Sequence, residues 1–116
     1  MMANEGRQVP EIIKLLDWVD NTDHYFVVME RSFPCMDLSS FMKLHGGILD
    51  EQTARHVMRQ VIHAAQISCK RGVLHLDIKL ENLLVNHKTM EVKLTDFGCG
   101  ALMKKTAFKV FSGTEL

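Results

Sequence analysis

Branched and aromatic apolar residues dominate positions 12–19 and again Tyr25–Met29, with the polar stretch Asp20-Asn21-Thr22-Asp23 between them. Two β-favouring runs around a cluster of turn-forming residues predict an antiparallel hairpin. Pro34 then interrupts the chain. Asp37 stands where a short helix over Leu38–Leu44 needs an N-cap, and Gly46-Gly47 follows its end. After Asp50, a second N-cap, the spacing changes. Ala54, Val57, Met58, Val61, Ile62 and Ala65 recur at steps of three and four, which predicts an amphipathic helix of about five turns. Lys70 and Arg71 fall in its last turn, where cations suit the helix dipole, and Gly72 closes it. Short strands are expected at Val73–Leu74, 83–85 and 92–94. Residues 99–116 show no period and read as a loop.

Composition changes this picture little. With 47% apolar and 24% charged residues the chain is ordinary for a soluble globular protein, and 116 residues suffice for one small domain. Lys+Arg and Asp+Glu balance at 14 each, so net charge argues for neither nucleic acid nor an anionic membrane as partner. No apolar run is long enough to span a bilayer. The first seven residues lack a secretory hydrophobic segment, and position 2 is not the glycine of a myristoyl anchor. Cys35, Cys69 and Cys99 are single and widely spaced, which suits a reducing compartment better than a disulfide framework. His24, His45, His56, His63 and His87 have no metal-ligand spacing.

The chemistry concentrates in one stretch. His75-Leu76-Asp77-Ile78-Lys79-Leu80-Glu81-Asn82 is followed, after thirteen residues, by Asp96-Phe97-Gly98. Phosphoryl transfer from ATP needs an acceptor for the incoming hydroxyl's proton, a cation near the transferred phosphate and oxygen ligands for magnesium. Asp77, Lys79, Asn82 and Asp96 offer all three. Each alone has a plainer reading: a turn aspartate, a solvated lysine, a strand-entry asparagine. Their joint spacing makes coincidence the weaker account. The pattern resembles the catalytic loop and Asp-Phe-Gly element of protein kinases, and a lysine two residues after the base resembles the serine/threonine enzymes. Gly98 would let the backbone turn after the metal ligand, while Phe97 is a packing residue on either view.

Beyond that general pattern, several stretches resemble the PIM family of serine/threonine kinases. They are Leu15-Leu16-Asp17-Trp18, Met29-Glu30-Arg31 with Pro34 and Asp37-Leu38, Gly72-Val73-Leu74-His75, and Lys93-Leu94-Thr95-Asp96-Phe97-Gly98-Cys99-Gly100-Ala101-Leu102. The resemblance covers nearly everything from Pro10 onward. It implies an α+β, partial protein-kinase-like fold. Residues 1–11 would be a tail, 12–31 the last hairpin of the N-terminal lobe, 32–36 the hinge, and 37–116 the first half of the helical lobe. That half would contain the catalytic loop 75–82 and the activation segment 96–116. It further implies ATP and Mg2+ as cofactors, adenine bound by backbone groups at Glu30 and Ser32, and a structural role for Thr114 in the activation segment. Protein substrates carrying Ser or Thr near basic residues would be read by Asp37 and Glu81. The location would be cytoplasmic and nuclear.

Four departures matter. Leu76 replaces the arginine that usually precedes the base, so control through a phosphate on the activation loop is expected to be absent. Ser40 and Leu80 stand where the family has acidic side chains, which weakens the expected basic preference. Ser32 replaces a hinge proline and restores a backbone N–H. No glycine-rich loop, strand lysine or partnering glutamate precedes residue 12. The segment by itself is therefore expected to show no turnover, and to be marginally stable with an open strand edge and an uncovered helix face. Two rival readings remain: a non-catalytic kinase-like binding protein, and an unrelated metal-dependent phosphohydrolase using Asp77 and Asp96.

Overall fold

A computed structural model describes residues 9–31 and 34–96, and the backbone of residues 101–102. Ser32, Phe97, Gly98, Cys99 and Thr114 lie outside the described residues. The chain is α+β and runs β1 (Leu15–Asp20), β2 (Tyr25–Met29), β3 (Cys35–Asp37), α1 (Leu38–Leu44), α2 (Glu51–Lys70) and β4 (Val73–Leu74). A 3-10 turn (Leu80–Asn82), β5 (Leu83–Asn86), β6 (Glu91–Leu94) and β7 (Ala101–Leu102) follow.

β1 and β2 form the expected hairpin, in the register Trp18 opposite Val27 and Asp20 opposite Tyr25. Asn21 closes its turn: the backbone N–H donates to the His24 carbonyl at 2.9 Å, and the side chain accepts from the Thr22 N–H at 2.8 Å. The apolar run 12–19 is nevertheless not one strand. Ile12 and Ile13 leave the hairpin and enter the core: Ile12 forms a parallel bridge to Leu94, and the Ile13 N–H donates to the Leu94 carbonyl at 3.0 Å. Periodicity cannot tell which body a β-favouring residue will join.

β3, β5 and β6 make an antiparallel sheet in that order, with α2 packed against β6. β3 was not expected: three residues after Pro34 are too few to show a period. The core between sheet and helices holds Ile12, Phe41, Val57, Val61, Val85 and Val92. β6 would offer an open edge, but Gln60 of α2 covers it. Its Oε1 accepts from the Val92 N–H at 2.8 Å and its Nε2 donates to the Met90 carbonyl at 3.0 Å. A helix side chain thus supplies the ladder bonds that a neighbouring strand would make.

Both predicted N-caps act. Asp37 accepts from the Ser40 N–H at 3.1 Å and Asp50 from the Thr53 N–H at 3.4 Å, and each also accepts from the hydroxyl of the same residue. These bonds satisfy orphan donors of the first helical turn. They also pull both carboxyls below their ordinary values, the hydroxyl bond being the larger cause in each. α2 buries Val57, Val61, Ala64 and Ser68, whereas Met58 and Ile62 face outward, so its core-facing stripe is rotated from the one the spacing suggested. At the far end of the chain, β7 pairs antiparallel with β4. Residues 101–102 are therefore strand rather than loop, through a long-range pairing that local sequence cannot report.

Candidate functional site

The loop after β4 turns inward because Leu76 adopts a left-handed backbone, φ +67°. That conformation costs a non-glycine residue roughly 1–2 kcal/mol. Its effect is to send the side chains on either side of Leu76 into the body. His75 is 4% exposed. Its Nδ1 accepts from the Asp77 N–H at 3.1 Å, so the ring proton sits on Nε2, which donates to the Thr95 carbonyl at 2.8 Å. One imidazole therefore fixes the backbone of both loops.

Asn82, 6% exposed, closes the arrangement from the other side. Its amide nitrogen donates to the Asp77 carbonyl at 2.9 Å and lies 3.3 Å from Asp77 Oδ2. Both partners are acceptors, which sets the orientation of the amide. The Asn82 carbonyl accepts from the Thr95 N–H at 3.0 Å. Thr95 is thus held through its N–H by Asn82 and through its carbonyl by His75, immediately before Asp96. Asp96 is exposed and also left-handed, φ +61°. Lys79 Nζ stands 3.8 Å from Asp77 Oδ2, with the lysine side chain 36% and the aspartate 12% exposed. Asp77, Lys79 and Asn82 are in mutual contact, and Asp96 begins one residue from the pinned Thr95.

The donor set is hard oxygen throughout: two carboxylates and an amide, beside one cation. Magnesium suits such a set, because it takes one or two carboxylates and completes its shell with water and phosphate oxygens. No group of three or more His, Cys, Asp or Glu side chains able to hold a metal occurs among the described residues.

The peripheral positions fall as follows. Glu81 is exposed on the 3-10 turn, against which α1 packs, so Asp37 and Glu81 belong to adjoining elements. Both carboxylate oxygens of Asp37 are engaged by Ser40. Glu30 ends the hairpin, and its side chain is more than a bystander. Oε1 accepts from the Lys14 N–H at 2.8 Å and pairs with Lys93 Nζ at 3.2 Å. Sequence reasoning missed Lys93 and Thr95. A lysine in a strand reads as a solvent-facing residue, and nothing local marks a partner 63 positions away.

The protein kinase domain family matches this chain over residues 1–116. Serine/threonine-protein kinase pim-2 of Danio rerio is 41% identical over 106 residues, covering 90% of this chain and 34% of that protein. Serine/threonine-protein kinase prk-2 of Caenorhabditis elegans is 36% identical over 115 residues, 99% of this chain and 26% of that protein. The PAS domain-containing serine/threonine-protein kinase of Mus musculus is 36% identical over 104 residues, 89% and 7% respectively. The chain thus spans between 7% and 34% of the length of these relatives.

Proposed function

The chain belongs to the protein kinase family, in its serine/threonine class, and from that premise we propose that it forms the catalytic-loop portion of a PIM-like kinase. The reaction is transfer of the ATP γ-phosphoryl group to Ser or Thr hydroxyls of proteins. The observation that carries this reading is the Asn82 side chain donating to the Asp77 backbone carbonyl and to its carboxylate Oδ2 while the Asn82 backbone holds Thr95. One residue thereby aligns the two loops on which all four polar groups sit.

Asp77 orients the acceptor hydroxyl and takes its proton. Lys79, beside it, offers positive charge where the transferred phosphate's charge accumulates. Asn82 through its amide oxygen and Asp96 through its carboxylate hold magnesium. Mg-ATP, when bound, supplies the phosphoryl group, and this chain contributes placement and charge. Backbone groups at Glu30 and Ser32 bind adenine. Asp37 and Glu81 favour basic residues near the acceptor, while Leu80 and Ser40 weaken that preference. Phe97, Gly98 and Thr114 belong to the activation segment. The protein acts in the cytoplasm and nucleus.

The test is Mg-ATP-dependent phosphorylation of a basic serine peptide by the full protein, with and without Asp77→Asn. Loss of a proton acceptor should lower the rate by about 10²–10⁴-fold. Equal rates would reject the role of Asp77. A second reading, a non-catalytic kinase-like binding protein, is favoured by Leu76. It predicts that Mg-ATP binds without any peptide phosphorylation.

A further inference from the structure

The hairpin is a cantilever. Among the described residues, every hydrogen bond made by positions 15–29 stays within it, and Leu16, Trp18, Phe26, Val27 and Val28 are all more than half exposed. Its placement on the body is set at its root, where residues 10–14 and Glu30 meet β6. Three kinds of contact converge there. Backbone bonds run from the Ile13 N–H to the Leu94 carbonyl at 3.0 Å and from the Leu94 N–H to the Glu11 carbonyl at 2.7 Å. Lys14 and Glu30 close the hairpin's mouth, with the Glu30 N–H donating to the Lys14 carbonyl at 3.0 Å.

The third contact is Lys93. Its Nζ donates to the Pro10 carbonyl at 2.6 Å and pairs with Glu30 Oε1 at 3.2 Å. The lysine side chain is 13% and the glutamate 29% exposed, so water screens the pair only in part. One ammonium thus grips the strand entering the hairpin and the residue leaving it. It sits on β6, three residues before Asp96.

We propose that Lys93 is a positioning residue which clasps the hairpin root, through Pro10 and Glu30, in fixed relation to the loop carrying Asp96. This rests on the kinase reading for its purpose, since Glu30 there marks the adenine end and Asp96 the phosphate end of one nucleotide. The grip itself rests on geometry alone. A substrate spanning two bodies is productively held only if their separation is held too. Lys93 fixes that separation with one side chain, whereas the backbone bonds at residues 11–13 fix only the strand entering the hairpin. The residue leaving it, Glu30, is otherwise bonded to Lys14 within the same hairpin, and its side chain reaches β6 through Lys93.

The experiment compares wild type, Lys93→Met and the exchanged pair Lys93→Glu/Glu30→Lys in the full protein, by amide hydrogen exchange and by titration with ATP in magnesium buffer. Lys93→Met should raise exchange at Lys14 and Glu30 by about tenfold, leaving Val61 and Val85 unchanged. It should weaken ATP binding by a similar factor, about tenfold. The exchanged pair should restore part of the ATP affinity and of the protection at position 30, but not at Lys14, whose N–H loses its Glu30 Oε1 acceptor. Unchanged exchange at residues 14 and 30, or a uniform rise across the body, overturns the clasp. A raised exchange with ATP affinity intact overturns its positioning role. A wild-type protein that binds no ATP fails the kinase reading, and with it the positioning role, while the exchange pattern still judges the clasp.

Discussion

Replacing His75 with phenylalanine isolates the polar work of the imidazole from its volume. The side chain is buried, so the aromatic body keeps most of its packing, and what disappears is one acceptor and one donor. The Asp77 N–H loses its 3.1 Å partner and the Thr95 carbonyl its 2.8 Å partner. A buried backbone group left without a partner costs about 1–3 kcal/mol. Two of them give roughly 2–6 kcal/mol, and partial access of water to the loop places the expectation at about 2–4 kcal/mol. A small domain has about 5–15 kcal/mol in total, so the change is large but survivable. Urea unfolding of the full protein measures it, and amide exchange at Asp77 assigns it to the loop. A variant within about 0.5 kcal/mol of wild type, or one whose Asp77 amide stays as protected as before, would refute the bridging role.

Four further outcomes are expected from the same contacts. Ile12→Ala should destabilise by about 2–5 kcal/mol in denaturant melts, because the side chain is fully buried against β6 rather than lying on the exposed hairpin. Leu76→Gly should be more stable than Leu76→Ala by about 1 kcal/mol in the same assay, since both remove the side chain and only alanine keeps the left-handed penalty. Asp37→Ala should cost about 1 kcal/mol of stability through loss of the α1 cap. Asp37 and Asp50 have carboxyls lowered by hydrogen bonds, so they contribute stability above the ordinary value of 3.8 and lose it as pH falls through their folded values. An Asp37→Asn/Asp50→Asn double variant should therefore show a shallower loss of stability below about pH 4 in acid titration.

Both helices were legible in the sequence because their ends carry chemistry of their own. Asp37 and Asp50 start them, Gly46-Gly47 and Gly72 follow them, and the three-and-four spacing of α2 fills the interval. What local pattern could not supply was partner choice. β3 and β7 are too short to show a period and exist through pairing with β5 and β4. Ile12 and Ile13 look like hairpin residues and are core residues. In the candidate site, spacing alone named Asp77, Lys79, Asn82 and Asp96. It did not foresee how they are held: the left-handed turns at Leu76 and Asp96, the Thr95 backbone gripped from two sides, and the Glu30–Lys93 pair. Those arise from contacts between residues far apart in the chain.

The sole tryptophan of the chain sits midway along β1, on the cantilevered hairpin, with 58% of its surface in water. Indole emission from this segment is therefore a built-in lamp for one event only, the covering of that hairpin. A blue shift of the emission maximum would report another surface closing over Trp18, without a dye, a label or a substrate.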